Sequence, residues 1–355
     1  MARFRAAGAE PGPTPGRHNG AVRAWAVDRD AATPLGRIAL VAVERPVPEP
    51  GPGEVRVRVT ACGVCRTDLH LAQGDLPPRR RGVVPGHEVV GTVDALGPGA
   101  GRFAPGDRVG IAWLRSTCGR CRWCRGDREN LCPDARFTGW DAHGGFAEHA
   151  VVPEAYAYAL PAGLDDASAA PLLCAGIVGY RALRRAGLPP GGRLGIYGYG
   201  ASAHLVAQVA VAQGATVHVL TRSEPARRLA LELGAASAGP ADAAPPEPLD
   251  SAILFAPAGE LVPVALRALD RGGILSLAGI HLSDVPPLNY QRELFQEREV
   301  RSVTANTRAD GEEFLRLAAA LRIRPHVHRR PLAEAADVLA DLAADAYEGA
   351  AVLVP

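Results

Sequence analysis

The middle of the chain alternates short apolar strands with helices, and this alternation restricts the possible fold more than any other feature. A strand at Arg193–Tyr197 precedes the glycine-rich turn Gly198-Tyr199-Gly200-Ala201-Ser202-Ala203, and we expect a helix at 204–213 after it. The alternation continues through strand Thr216–Leu220, helix 224–233, strand 251–256, helix 261–269, and strands 273–278 and 299–303. Such a pattern predicts an α/β fold with a doubly wound parallel sheet.

The turn between the first strand and its helix matches a dinucleotide-binding fingerprint. Gly198, Gly200 and Ala203 stand at its three small-residue positions. Small residues let the backbone approach a pyrophosphate, and the following helix directs its positive end at that charge. A tight turn without a ligand is the alternative, and the continuing strand–helix alternation argues against it.

The end of the second strand of this unit bears on the choice of cofactor. An NAD site has Asp or Glu there, bonded to the adenosine ribose. This chain has Thr221-Arg222-Ser223 instead. A guanidinium and two hydroxyls suit a ribose 2′-phosphate, so we predict NADP in preference to NAD. The alternative is that Arg222 is a solvated surface residue and that NAD is bound less selectively.

A zinc site with an open position is predicted from three separated stretches of the chain. They are Cys65-Arg66-Thr67-Asp68-Leu69-His70, Gly86-His87-Glu88 and a lone Cys174. Two thiolates and an imidazole from Cys65, Cys174 and His87 would leave the fourth tetrahedral position for water or substrate. An isolated buried cysteine is usually a small apolar residue, but the conjunction of the three stretches favours a metal.

The neighbours of these ligands suggest catalytic roles. Thr67 lies two residues beyond a ligand, so its hydroxyl could reach an oxygen at the metal, and His70 could pass a proton to solvent. Asp68 could orient His87 through the free ring nitrogen. Glu88 follows a ligand and could support it or bind the metal on occasion.

A second group of cysteines predicts a structural metal site. Cys118, Cys121 and Cys124 follow one another at intervals of three, and Cys132 comes eight residues later. Four thiolates satisfy zinc completely, and the metal would order a polar, arginine-rich loop that cannot form a core. An iron–sulfur cluster and four free thiols are the alternatives.

The remainder of the chain is predicted to be β-rich, with the metal residues on its loops. Strands are expected at Ala21–Val27, 38–43, 54–60, 89–96, Arg108–Ile111 and 145–152. Helices at 312–321 and 332–342 and a strand at Ala350–Val354 would return to this body and close it. We therefore predict a disordered tail at 1–20, one domain from 21–174 with 311–355, and a second at 175–310.

Composition excludes several classes of partner and compartment. All 39 basic residues are arginine, yet the net charge is only +1, so no nucleic-acid partner is predicted. No apolar run is long enough to span a bilayer and the first 20 residues lack a signal sequence, so no membrane association is predicted. Six of the seven cysteines fall in the two proposed zinc sites, leaving Cys62, and this usage indicates a reducing cytoplasm.

These motifs together resemble the zinc-dependent alcohol dehydrogenases of the medium-chain dehydrogenase/reductase superfamily. The resemblance runs from about Ala21 to the C-terminus and rests on Gly63-Val64-Cys65-Arg66-Thr67-Asp68, Pro85-Gly86-His87-Glu88, the four-cysteine loop, Cys174 and the Gly198 turn. It implies a GroES-like catalytic domain split around a Rossmann domain, with the active site in the cleft between them. It also implies a homodimer or homotetramer and hydride transfer between a small-molecule alcohol or aldehyde and NAD(P).

The resemblance assigns further residues and also has departures. It implies that Arg66 contacts the cofactor pyrophosphate, that Thr67 and His70 form the proton relay, and that Trp113 lines the substrate pocket. Where ethanol-active microbial relatives often carry Trp, this chain has Leu76, which predicts a roomier pocket and a larger primary alcohol, aromatic ones included. Gly349-Ala350-Ala351 stands where some relatives have an arginine for the cofactor phosphate.

Two other functions remain open on the sequence. One is a zinc-free quinone or enoyl reductase of the same superfamily, which would lack the three catalytic ligands. The other is a non-catalytic, zinc-stabilised NADPH-binding protein, which would not need Thr67 and His70.

Overall fold

Two large sheets organise the residues that the computed structural model describes, 21–30 and 32–355. One has seven strands and is mainly antiparallel; the other has six strands, all parallel. The predicted α/β fold class is therefore confirmed. The predicted tail at 1–20 lies outside the described residues. Within the described ranges, no helix is both long and apolar enough to cross a membrane.

The strands and helices alternate in the second half of the chain and are mostly strands in the first. The strands are β1 (Ala21–Val27), β2 (Leu40–Pro46), β3 (Glu54–Val64), β4 (Glu88–Leu96), β5 (Arg108–Ile111), β6 (Leu114–Ser116), β7 (Arg136–Phe137), β8 (His149–Pro153), β9 (Ala157–Ala159), β10 (Arg193–Tyr197), β11 (Thr216–Leu220), β12 (Ser237–Gly239), β13 (Leu249–Leu254), β14 (Leu269–Leu277), β15 (Glu299–Ser302), β16 (Val327–Pro331) and β17 (Ala350–Val354). The helices are α1 (Arg66–Gln73), α2 (Arg122–Arg125), α3 (Asp166–Ala169), α4 (Ala175–Ala186), α5 (Ala201–Ala212), α6 (Glu224–Glu232), α7 (Leu261–Ala268), α8 (Arg308–Ala320) and α9 (Ala335–Ala343). Short 3-10 turns lie at Glu129–Leu131, Glu154–Tyr156, Ala170–Leu173 and Leu332–Glu334, and a π-helical turn lies at Tyr290–Leu294.

The seven-stranded sheet carries two of the predicted metal residues, Cys65 and His87, next to the ends of its central strands β3 and β4. Its order is β16-β17-β3-β4-β5-β9, with β8 also paired to β3. Val55, Val57 and Val59 of β3 alternate into the core, as their spacing predicts. The C-terminal strand β17 pairs with β3, so the last residues of the chain return to the first sheet.

The parallel sheet has the order β12-β11-β10-β13-β14-β15. The strand β10 lies in its middle, because the chain builds β11 on one side and later returns to add β13 on the other. A parallel sheet that reverses its building direction leaves a crevice at the carboxyl ends of the strands where the reversal occurs. Gly198 directly follows β10 and therefore lies at this crevice.

Several element boundaries differ from the sequence-based prediction. The strand predicted at 38–43 is observed at Leu40–Pro46, because its full pairing with β1, up to Ala21 opposite Pro46, sets its length. The helix predicted at 204–213 begins earlier, at Ala201, directly after the turn. The strand predicted at 145–152 begins at His149, because Gly145 and Phe146 donate their backbone N–H groups to the loop that carries His87.

Candidate active site

The pairing of β3 with β4 brings the first two predicted ligands together. Gly63 of β3 lies opposite Glu88 of β4 in the register. Cys65 directly follows β3 and His87 directly precedes β4, so the two residues lie at the same end of the strand pair. Cys174 arrives separately, at the N-terminus of α4. One ligand atom from each of Cys65, His87, Glu88 and Cys174 lies within 4.8 Å of all the others.

Asp68 holds the two ligand-bearing segments in place. It is 2% exposed. Its Oδ2 accepts the backbone N–H of Cys65 at 3.0 Å, and its Oδ1 accepts that of Gly86 at 2.8 Å. The same Oδ1 lies 3.3 Å from Nδ1 of His87. Gly86 is required in this loop, because its φ is +94° and a Cβ there would lie 2.5 Å from the Phe146 ring.

His87 is positioned to bind a metal. Its side chain is buried, and neither ring nitrogen has a hydrogen-bond partner within the described ranges. Nδ1 faces Asp68 at ion-pair distance, whereas a buried Nε2 without a partner would cost free energy unless a ligand satisfies it. This unpartnered nitrogen, beside two thiols, fits zinc.

The electrostatics of the site favour one thiolate beside a proton donor. The hydrogen bond from Cys174 holds the pKa of Cys65 well below its usual value, and that same hydrogen bond, with burial, raises the pKa of Cys174. Burial is the largest single influence on the pKa of His87 and lowers it, but the charges and hydrogen bonds of Asp68 and Cys65 together outweigh burial and raise that pKa. Burial and the charge of Cys65 raise the pKa of Glu88. A cation with zinc's charge would replace the protons that these groups share.

The four cysteines of the second group form a separate cluster around the short helix α2. Their sulfur atoms lie within 4.8 Å of one another, with Sγ of Cys124 at 3.5 Å from Cys121 and 3.9 Å from Cys118. A tetrahedral zinc with four Zn–S bonds keeps its sulfurs about 3.8 Å apart, so the spacing fits. Backbone N–H groups of Arg120 and Cys121 lower the pKa of Cys118 to about 6, which favours the thiolate that zinc binds.

The leftover thiol, Cys62, belongs to the core and to neither cluster. It is 1% exposed and packs beneath Gly86, where a Cβ would lie 2.8 Å from its sulfur. Burial raises the pKa of this thiol well above its usual value, as expected for an inert buried cysteine.

An aromatic wall stands beside His87. The ring of Trp113 meets that of His87 edge-on at 4.8 Å and stacks on Phe137 at 4.9 Å and on Trp140 at 5.9 Å. Sequence reasoning identified Trp113 but missed Phe137 and Trp140. They lie on the segment after the four-cysteine loop, and no periodicity in the sequence connects them with Trp113.

The predicted relay residues lie at the start and in the second turn of α1. The hydroxyl of Thr67 lies 3.7 Å from the sulfur of Cys65. Nδ1 of His70 lies 2.5 Å from the carboxylate of Asp75, a partner that sequence reasoning missed. The side chain of His70 is 17% exposed, so part of the ring reaches solvent.

The glycine-rich turn leaves room for a phosphate at the start of α5. Gly198 has a φ of +83°, and a Cβ there would lie 2.7 Å from the backbone nitrogen of Ala256. At Gly200 a Cβ would meet nothing within 4 Å, so the turn is open on that side. Gly200 caps α5 without a side-chain hydrogen bond, and Ala203, in the first turn of α5, is fully buried. An anion could therefore reach the first N–H groups of α5.

Two acidic residues of the loop before β17 contact predicted cofactor residues. Ser223 caps α6, and its hydroxyl donates to Oε1 of Glu348 at 2.7 Å. Arg66 pairs with Asp345. Thr221 is buried and Arg222 is exposed. Sequence reasoning missed both acidic residues, because they lie more than 100 residues along the chain from Ser223 and Arg66.

Known proteins resemble both parts of the chain. A family model described as alcohol dehydrogenase GroES-like domain matches residues 51–162. The chain is 59% identical over 336 residues to the Mycobacterium tuberculosis protein named "Probable alcohol dehydrogenase AdhA", which covers 93% of this chain and 96% of that protein.

Two solved structures share the whole architecture. A thermostable alcohol dehydrogenase from Pyrobaculum aerophilum with cobalt and zinc bound is 28% identical, with a TM-score of 0.84, and the match covers 94% of this chain and 100% of that one. A cinnamyl alcohol dehydrogenase from Sorghum bicolor is 29% identical, with a TM-score of 0.84 and coverage of 94% and 97%. The chain therefore belongs to the zinc-dependent alcohol dehydrogenase family of the medium-chain dehydrogenase/reductase superfamily, and it is an oxidoreductase.

Proposed function

We propose that this protein is a zinc-dependent dehydrogenase that interconverts a primary alcohol and its aldehyde, with NADP favoured over NAD. The observation that carries the proposal is the trio of half-buried Cys65 with buried His87 and Cys174, whose imidazole Nε2 has no partner within the described ranges. Three such ligands leave one tetrahedral position for substrate.

The residues around this trio have defined tasks in the reaction. When bound, zinc supplies a Lewis acid for the alcohol oxygen and the nicotinamide accepts the hydride. Thr67 accepts the hydroxyl proton of the alcohol, and His70 conveys it to solvent. Asp75 fixes the ring of His70 through Nδ1 and leaves Nε2 to carry the proton. Asp68 holds the segments that carry Cys65 and His87 together through its two hydrogen bonds. Glu88 can bind the metal on occasion as a further ligand.

The second zinc would be structural and held by Cys118, Cys121, Cys124 and Cys132. This loop also contacts the segment that follows β15 and the first residue of α8. Asn130 donates to the carbonyl of Thr304 at 2.9 Å, and Glu129 accepts the backbone N–H of Arg308 at 3.0 Å. The ordered loop would thereby connect the catalytic domain, 21–174 with 311–355, to the dinucleotide-binding domain at 175–310. The pairing of β17 with β3 supports this division.

We propose that the substrate is a primary alcohol larger than ethanol, aromatic alcohols included. The stacked rings of Trp113, Phe137 and Trp140 offer an apolar wall next to a zinc ligand. An aromatic substrate gains offset-stacking and burial free energy against such a wall. Leu76 in place of a tryptophan adds room.

Two features oppose each other in the choice of cofactor. Thr221-Arg222-Ser223 lacks the carboxylate of an NAD site and offers hydroxyl and guanidinium groups to a 2′-phosphate. Glu348, however, already holds the Ser223 hydroxyl and would repel that phosphate. We propose that the first feature prevails. Glu348→Gln should then tighten NADPH binding and leave NADH binding nearly unchanged, and fluorescence titration of the two cofactors would measure both.

We further propose a homodimer or homotetramer in the cytoplasm. The strand β15 is the outer strand of the parallel sheet, and Val300 on it is 40% exposed. Tyr290 and Phe295, just before it, are 60% and 53% exposed. Such an edge can pair with its copy through backbone hydrogen bonds and apolar contacts. Light scattering after size-exclusion chromatography would give the mass.

Turnover with aldehydes of increasing size tests the function. The oxidation of NADPH and of NADH is followed at neutral pH with acetaldehyde, benzaldehyde and cinnamaldehyde, on protein of known zinc content. Turnover with NADPH and the larger aldehydes would support the proposal. Turnover mainly with NADH would support the proposed dehydrogenase reaction but overturn the proposed preference for NADP. Reduction of quinones or enones by zinc-free protein would favour the rival reductase function.

A further inference from the structure

A third cluster of metal-binding side chains lies outside both cysteine sites. Within the described ranges, three groups offer at least three suitable donor atoms, and the third consists of His70, Asp75 and His281. One atom from each lies within 4.8 Å of the others. His70 lies on α1 and Asp75 lies just beyond its end, in the part of the chain that forms the seven-stranded sheet. His281 lies on the loop after β14 of the parallel sheet. The cluster therefore bridges the two halves of the molecule.

The turn that ends α1 preorganises two of the donors. The backbone N–H groups of Gly74 and Leu76 both donate to the carbonyl of His70, at 2.9 Å and 3.2 Å. Gly74 has a φ of +92°, which reverses the chain and returns Asp75 to the ring of His70. The carboxylate and Nδ1 then lie 2.5 Å apart. A metal ion could replace the proton between them after a small separation of the two side chains.

The loop after β14 brings the third donor against this pair. The rings of His281 and His70 lie 4.2 Å apart, at 48° to each other. His281 has a left-handed backbone with a φ of +55°, a conformation that few residue types adopt without cost. The side chains of Asp75 and His281 are exposed, so an ion can enter from solvent.

A second pair of histidines, His326 and His328, lacks the carboxylate that the cluster of His70, Asp75 and His281 contains. The rings of His326 and His328 lie 5.0 Å apart, but Nε2 of His328 bonds to the carbonyl of Glu348 at 2.9 Å. Within the described ranges, no third histidine, cysteine or carboxylate joins this pair to form a potential metal site. It therefore provides a matched control for two neighbouring imidazoles without a carboxylate.

We propose that His70, Asp75 and His281 form a binding site for a divalent transition-metal ion, represented by Zn²⁺. Two imidazoles and one carboxylate are a ligand set that zinc accepts, with water in the fourth position. Bonds of about 2.0–2.2 Å hold such ligand atoms about 3.3 Å apart. The exposed side chains of Asp75 and His281 can close from the observed spacing by small changes of rotamer. Without thiolates and near solvent, the site binds zinc reversibly and more weakly than either cysteine site.

Occupancy has a consequence for the enzyme that rests on the proposed role of His70. An ion bound at Nδ1 of His70 places its positive charge on the same ring as Nε2, which lowers the affinity of Nε2 for a proton and weakens His70 as a proton carrier. It also ties the loop after β14 to α1 and so restrains the crevice at the carboxyl ends of the parallel strands. Added zinc is therefore an inhibitor of turnover as well as a ligand.

Zinc binding to the holoenzyme tests the site directly. Protein that retains its resident zinc is dialysed, and equilibrium dialysis against added Zn²⁺ in a non-coordinating buffer is followed by metal analysis. The wild type should bind one further ion per chain. The variant His281→Asn should lose it, with affinity reduced roughly tenfold or more, because asparagine tolerates the left-handed backbone but lacks the imidazole. Asp75→Asn should weaken binding as well, and the control His328→Asn should bind like the wild type.

The outcomes separate the site from the proposed function. A wild type that binds no further ion, or a His281→Asn variant that melts normally and binds zinc like the wild type, overturns the site. Loss of the further ion in the His328→Asn control alone would assign it to the other histidine pair and also overturn the proposal. If the further ion binds, is lost in His281→Asn, and leaves turnover unchanged, the site stands and the relay role of His70 fails.

Discussion

Asp68 and Asp310 allow the contribution of one carboxylate to zinc binding to be separated from its contribution to folding. Each is buried at the third position of a helix and completes a capping box, Asp68 with Cys65 at α1 and Asp310 with Thr307 at α8. Only Asp68 also faces a predicted zinc ligand, with Nδ1 of His87 at 3.3 Å. We therefore compare Asp68→Asn with Asp310→Asn.

The expected loss of unfolding free energy follows from the hydrogen bonds that each carboxylate accepts. Asp68 accepts from Cys65 with one oxygen and from Gly86 with the other. An asparagine has one carbonyl oxygen, so its NH₂ group would face one of these two N–H donors. A buried N–H left unpaired costs about 1–3 kcal/mol, and the loss of charge from the remaining bond adds to this, for a total of about 2–4 kcal/mol. Loss of a group that orients a zinc ligand typically lowers metal affinity about 10–100-fold.

The assay measures melting temperature and zinc retention on the same samples. Both variants should melt several degrees below the wild type, because Asp310 likewise accepts from the backbone N–H and the hydroxyl of Thr307 and pairs with Arg181. After dialysis against a chelator, Asp68→Asn should retain one zinc fewer per chain than the wild type, and Asp310→Asn should retain as many. Equal zinc retention in the two variants would refute the argument that Asp68 orients His87.

Three further substitutions test separate parts of the account. Thr221→Asp should shift the preference from NADPH toward NADH by restoring a carboxylate for the ribose, and an unchanged ratio of kcat/KM for the two cofactors would refute the Arg222 argument. Cys118→Ser should lower the melting temperature and the zinc content while leaving that ratio intact, since the proposed zinc would order the loop; a variant that melts normally but is inactive would contradict this. Trp113→Ala should reduce kcat/KM for cinnamyl alcohol by roughly tenfold through loss of about 1–1.5 kcal/mol of aromatic contact, with a smaller effect on ethanol, and equal losses for both would exclude a wall that selects aromatic substrates.

The sequence predicted the parts of this fold that depend on local pattern. The apolar strand Arg193–Tyr197, the small residues after it and the alternation that follows predict a parallel sheet with a tight glycine-rich turn before a helix, and the structure has both. The start of β3, a strand with clear alternation, was predicted correctly. The end of β3 was missed by four residues, because pairing with β4 and β17 extends the strand past the alternating segment to Val64.

The contacts that the sequence could not predict join segments remote along the chain. Asp75 is five residues from His70, but only the reversal at Gly74 brings the two side chains together. Glu348 reaches Ser223 across 125 residues, and His281 reaches His70 only because the loop after β14 lies against the end of α1. Pattern and spacing carry no information about such contacts, since these depend on how whole elements pack.

The most direct test of the central claim is the dependence of turnover on zinc at the three-ligand site. Oxidation of benzyl alcohol with NADP⁺ is measured on the protein as purified, after removal of its more labile zinc by a chelator, and after zinc is restored. The account predicts activity that falls in proportion to the zinc removed and returns with it, and no recovery in Cys65→Ser. Full activity in protein stripped of that zinc, or in a folded Cys65→Ser variant, would contradict it.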